Sequence, residues 1–178
     1  MIKFLRGVTG LAVFVSLAAL GVSAFGKTWS DVLPRGGAQL LMQGLKRCPE
    51  CETPDRIAAA KRTPQEWRSY LTRYPNLTAS LTEQETENLI AYLATNFPLP
   101  ENKIPSDPAI VREGGFLPLD GQQLLLTYCQ SCHSLTQVVG ISQSTAGWKA
   151  ILTTGTHLSV VPNLSQTELE ELASYAAR

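Results

Sequence analysis

The chain has 178 residues, with 15 basic side chains against 15 acidic ones, four cysteines and two histidines. That length makes one ordinary domain or two small ones. With no basic surplus, nucleic acid is excluded as a partner, because phosphate binding needs one.

At the N-terminus, Lys3 and Arg6 precede an uncharged run over residues 7–26 that contains the small-residue sequence Val22-Ser23-Ala24. This reads as a secretory signal peptide over residues 1–24. The alternative is an uncleaved membrane anchor, since a run of 20 uncharged residues is about long enough to span a bilayer as a helix. Only in that case is the membrane a partner. Either way the rest of the chain is expected in the periplasm, where thiols oxidise. Cleavage after Ala24 leaves 154 residues with 13 basic and 15 acidic side chains.

Residues 30–96 form the first of two units. Leu40, Leu41 and Leu45 predict a helix ahead of Cys48-Pro-Glu-Cys51. Thr63-Pro64-Gln65-Glu66 is a capping box with Pro at the first helical position, and it opens a middle helix that carries Trp67. Thr82 and Glu85 form a second box, opening a last helix with Leu89, Ile90 and Leu93 on its apolar face. Residues 97–118 hold Pro98, Pro100, Pro105, Pro108 and Pro118 with Gly114 and Gly115, so they are expected to form a non-helical linker that wraps the surface or holds the units apart.

Residues 119–178 repeat the pattern. Leu124, Leu125 and Tyr128 precede Cys129-Gln-Ser-Cys132-His133; Ser144 takes the place of Thr63; Ser165 and Glu168 box a last helix bearing Leu169, Leu172 and Ala176. The cysteine pairs and Trp67/Trp148 share an offset of 81 residues, while Leu81 to Glu85 and Tyr92 match Leu164 to Glu168 and Tyr175 at 83. The second unit therefore gains two residues between its Trp and its last helix. No segment alternates over a strand length, so the expected fold is all-α: two tandem three-helix units, each ~60 residues and marginal as a core on its own.

Cys129-Gln-Ser-Cys132-His133 behind an export signal reads as an attachment site for one covalent haem c. Its two thiols suit two thioethers to a porphyrin, and its imidazole suits the iron. The segment from Gly121, Leu124 and Leu125 through this motif and Trp148 to the end helix resembles a compact class I c-type cytochrome. That resemblance implies crossed first and last helices, with Gly121 as the small residue at the contact and Tyr175 against it. In the first unit Leu40 takes the aligned place.

Lys61-Arg62-Thr63-Pro64-Gln65-Glu66-Trp67, followed by residues 81–95 and the linker, resembles the tandem cytochrome c domain of quinohaemoprotein amine dehydrogenase α subunits, over roughly residues 38–178. That family joins haem domains to a β-propeller and other domains that carry the substrate chemistry. None is recognisable in this sequence, so the resemblance implies electron transfer and not amine oxidation.

With His133 as proximal ligand, the opposite iron position is left to His157, Met42, a solvent molecule or nothing. His157 lies in Thr153-Thr154-Gly155-Thr156-His157-Leu158, where cytochromes of the resembled kind bring a distal ligand, and His in place of Met would lower the reduction potential. The first unit has Glu52 where the proximal His belongs and no other histidine to use. It is expected to be a degenerate, haem-free structural or docking module. Cys48 and Cys51 then close a disulfide or remain a redox dithiol, although the βαβ context of a thioredoxin-like motif is missing. Zinc is disfavoured, because 77 residues separate the two cysteine pairs where zinc modules leave ~15–20.

Trp67 and Trp148 read as core or haem-packing aromatics. Arg56, Lys61, Arg62, Arg68 and Arg73 read as a solvated helix face, with a docking or haem-carboxylate patch as the alternative. No catalytic constellation is present. The expectation is a periplasmic monohaem cytochrome, free or as an electron-accepting subunit, whose partner is a dehydrogenase or another cytochrome. A haem sensor with an open sixth position is the rival, and a peroxidase would lack a distal acid/base group.

Overall fold

A computed structural model describes residues 33–160 and 164–177; the signal-peptide or anchor segment, 1–24, lies outside them. Five helices precede the linker: α1 (Gly37–Leu45), α2 (Pro54–Ala59), α3 (Pro64–Arg73), α4 (Pro75–Thr78) and α5 (Glu83–Asn96). A 3-10 turn, Glu101–Lys103, and α6 (Pro108–Glu113) follow. Then come α7 (Gly121–Tyr128), α8 (Leu135–Val139), α9 (Thr145–Leu152), α10 (His157–Val160) and α11 (Gln166–Ala176). The fold is all-helical, with no strand among the described residues.

Local chemistry accounts for the helix starts. The boxes at Thr63, Thr82 and Ser165 are closed in both directions, and Asp120 and Ser134 form two more with Gln123 and Gln137. Each half holds more than three helices, because Pro54, Pro75 and the Ser134 box start extra single turns at α2, α4 and α8. The linker is partly helical for the same reason. Asp107 caps α6, Pro108 occupies its first position, and Gly114, at φ 70°, ends it in the left-handed region.

Buried apolar side chains form two clusters, one around Leu40, Trp67, Leu89 and Leu93, the other around Leu124, Trp148, Leu172 and Ala173. In the first half α1 crosses α5, and in the second α7 crosses α11. Glycine permits both crossings: a Cβ on Gly37 would lie 2.1 Å from Cβ of Tyr92, and one on Gly121 would lie 2.1 Å from Cβ of Tyr175. The counterpart of Gly121 is therefore Gly37 and not Leu40, which is a fully buried core residue.

The linker does not hold the halves apart. Phe97 is buried in the first core, with Leu99, Ile104, Phe116 and Leu117 packed against it, and α5 packs directly on α11. Contacts are exchanged across this junction. Leu33, ahead of α1, belongs to the second core, whereas Leu117, ahead of α7, lies on the first. Tyr92 donates to the carbonyl of Pro118 at 2.8 Å, and Tyr175 donates to the carbonyl of Pro34.

Arg35, just before α1, is tied to Glu85 in the first turn of α5 at 2.6 Å. The guanidinium holds the Glu85 carboxyl down at about 2, against burial acting the other way. A depressed folded pKa contributes stability that is present above the ordinary carboxylate value and lost as pH falls toward 2. Glu85→Gln keeps a capping-box residue while removing the charge. Its acid-unfolding curve is expected to be flatter than that of the native chain between about pH 4.5 and 2, as read by circular dichroism; an unchanged acid limb would remove Glu85 from the account.

Candidate functional site

The Cys-x-x-Cys-His segment begins where α7 stops. Cys129 caps the C-terminus of α7, its amide donating to the Leu125 carbonyl, and its own carbonyl accepts from the amides of Cys132 (3.2 Å) and His133 (3.0 Å). One tight turn thus carries both thiols and the imidazole, and the Ser134 box starts α8 immediately after it. Cys129 is half-buried and Cys132 exposed. Burial, assisted by the neighbouring Cys132, pushes the Cys129 thiol up to about 11, so it stays protonated at neutral pH.

These residues open onto a cavity of about 500 Å³, within the range of cofactor pockets, ~300–1,000 Å³. Val138, Ile141, Trp148, Ile151 and Leu152 give it apolar walls, and Cys129, Cys132, His133 and His157 lie along it. The ring centroids of His133 and His157 are 6.0 Å apart, with 30° between the ring planes. Metal–imidazole bonds are ~2.0–2.1 Å long, so two rings this far apart would be able to hold one metal ion between them. Met42 has no place here: Gly114 of the linker packs against its sulfur, and Met42 is not among the cavity-lining residues.

Trp148 supplies a further sign of a missing neighbour. Its indole N–H is buried and finds no acceptor among the described residues, an arrangement that needs an explanation in a folded protein. A carboxylate at the rim of a porphyrin would provide one. The donor set, the apolar walls and this unpaired donor all fit a covalently held haem.

The corresponding place in the first half is built differently. Cys48 and Cys51 are joined by a disulfide with Cα atoms 5.3 Å apart, so neither offers a thiolate to zinc. Glu52, in the register of His133, accepts from Arg62 through both carboxylate oxygens at 3.0 Å. Arg62 in turn lies 4.6 Å from the ring centroids of both Trp67 and Tyr70, within cation–π range. Arg68 is paired with Glu87, so two members of the basic stretch serve intramolecular contacts.

A family model described as quinohemoprotein amine dehydrogenase A, alpha subunit, haem binding, matches residues 36–172. The chain belongs to this family. No curated protein and no solved structure gives a significant match. The match to the amine dehydrogenase haem-binding family spans both halves, including the one whose motif ends in Glu52. Of the cavity walls, Trp148 is legible in the sequence as a core or haem-packing aromatic, whereas Val138, Ile141, Ile151 and Leu152 are not singled out there. Ile151 and Leu152 had a signal, because the 81-residue register pairs them with Tyr70 and Leu71 in the same turn as each Trp.

Proposed function

We propose that the chain is an exported, periplasmic monohaem c-type cytochrome that carries electrons for a protein partner, a dehydrogenase or another cytochrome. In this reading residues 30–96 and 119–178 are tandem class I-like units joined by 97–118. Only the second holds haem, through Cys129 and Cys132 as thioethers and His133 and His157 as axial imidazoles. The observation that carries it is the pair of imidazoles 6.0 Å apart beside two thiols along one apolar cavity. Membership of the haem-binding family of a dehydrogenase subunit supports it.

Haem, when bound, supplies a one-electron iron couple whose potential depends on the axial ligands. The chain's own residues hold and shield it. Val138, Ile151 and Leu152 would meet it with apolar surface, and the unpaired N–H of Trp148 would be available to one of its carboxylates. The surface around the mouth suits apolar contact with a partner. Ile141 lines the cavity and is exposed, as are Val139 and Leu158, sequence neighbours of lining residues. From residue 121 to 167 the only charged side chain is Lys149, and it is paired with Glu170.

Haem quantification with mass analysis of the protein matured in an exporting host tests this reading. One covalent haem per chain is expected, and two would overturn the assignment of the first half. His157→Ala is expected to shift the Soret band and to let the reduced iron bind carbon monoxide rapidly. Rapid binding by the native protein would instead favour the sensor reading, with an open sixth position.

A further inference from the structure

We propose that Arg62, held by Glu52, is a built-in plug that occupies the cofactor cavity of the first half and lets that half fold shut without haem.

The two halves correspond residue by residue around their cysteine pairs. At the 81-residue offset Glu52 stands where His133 does, Trp67 where Trp148 does and Tyr70 where Ile151 does. All three counterparts line the cavity of the second half. The Arg62 side chain touches all three first-half residues at once: two hydrogen bonds to Glu52 and both aromatic faces at 4.6 Å. Its own counterpart, Gln143, is exposed and lies against Gly147 instead. A cation with a long apolar stem thus fills space that the second half leaves open.

Leftover polar atoms tell the same story. Nη1 of Arg62 and Nε1 of Trp67 are buried without a hydrogen-bond partner among the described residues, and Trp67 and Tyr70 are only 0% and 5% exposed. Trp148 carries the matching orphan at the matching position. An indole N–H kept in both halves is useful where a carboxylate comes to meet it. In the first half it faces a filled space whose filler is itself a donor, and Arg has no acceptor to give. Glu at position 52 and Arg at position 62 therefore act as a pair: the carboxylate holds the guanidinium against Trp67 and Tyr70.

This inference rests on the second half being a haem site. The probe is ferric protoporphyrin IX added to the purified holoprotein. Glu52→His/Arg62→Gln/Tyr70→Ile gives the first half the second half's residues at three positions. We expect it to take up one further, non-covalent equivalent, at least roughly tenfold more tightly than the native holoprotein, and Glu52→His alone to gain no such site. A triple variant with native helicity and no second equivalent overturns the proposal. If the triple variant does not fold, Arg62→Ala decides. It is expected to lower the melting midpoint by roughly 5 °C or more and to admit an apolar dye, whereas native stability and no dye binding would overturn the plug. A purified chain without any Soret band before the probe is added would instead mean that the haem reading itself fails, and the plug with it.

Discussion

Replacing Cys129, Cys132 and His133 together by alanine is expected to unfold the second half while the first stays folded. The cavity beside these residues measures about 500 Å³ and has apolar walls that include Val138, Trp148 and Leu152, surface that would face water without a cofactor, at ~25 cal/mol per Å². A loss of even a few kcal/mol is a large fraction of the ~5–15 kcal/mol by which whole domains are stable. Among the described residues of the second half, Gln143, the counterpart of Arg62, is exposed and does not line this space. Amide hydrogen exchange by NMR checks the expectation: protection should vanish across α7, α9 and α11 and persist across α3 and α5. Native protection across α11 in a haem-free variant would sink it.

The contrast between the halves follows from what each puts at its centre. The first half closes over its own side chains, with Trp67, Leu77, Leu89 and Tyr92 fully buried and Arg62 against Trp67 and Tyr70. It was expected to be a haem-free module because Glu52 replaces a histidine. The structure pairs that glutamate with Arg62 at 3.0 Å. Of the basic stretch read as a solvated helix face, Arg56, Lys61, Arg68 and Arg73 are exposed, Arg68 in a surface pair with Glu87, and Arg62 alone is turned to Glu52 and the aromatic rings.

Much of the fold could be read from spacing alone, because capping boxes and helical periodicity are local. Thr63, Thr82 and Ser165 cap helices as their sequence pattern predicts. The register at the first helix was harder. Leu33-Pro34-Arg35-Gly36-Gly37-Ala38-Gln39-Leu40-Leu41 matches Leu117-Pro118-Leu119-Asp120-Gly121-Gln122-Gln123-Leu124-Leu125 at an offset of 84. The first half thus has three more residues between its glycine and its first cysteine. An alignment held at 81 puts Leu40 opposite Gly121 and hides the crossing glycine. The exchange of Leu33 and Leu117 between cores could not be read at all, since a repeat says which residues correspond and not which half each one touches. The haem cavity falls between these cases: its thiols and imidazoles form a motif, whereas its walls are ordinary apolar residues that only the fold brings together.

Asp120 is where that junction is most exposed to a single change. Its side chain is fully buried. One oxygen accepts from the amide of Gln123, capping its own helix, while the other accepts from Ala38 at 3.1 Å and Gln39 at 3.4 Å, the start of α1 in the other half. Gly36, which caps α1 without a side chain, leaves room for this: a Cβ there would fall within 2.2 Å of all three carboxylate atoms. Asp120→Ala removes the cap from two helices and strands buried amides, at ~1–3 kcal/mol each, so a loss of about 3–5 kcal/mol is expected in urea unfolding. Gly36→Ala should also destabilise, but the double variant should lose less than the two singles combined, because removing the carboxylate removes the clash. Strict additivity would refute the shared-space account. Burial also raises the Asp120 pKa, against the amides that favour its charged form. A raised folded value makes its contribution greatest below the ordinary aspartate pKa and lost as pH rises through the folded one, opposite in sign to Glu85. Asp120→Asn should therefore abolish that rising-pH loss while leaving the Glu85 acid limb in place, and the two limbs can be separated by measuring unfolding midpoints across acid pH in both variants.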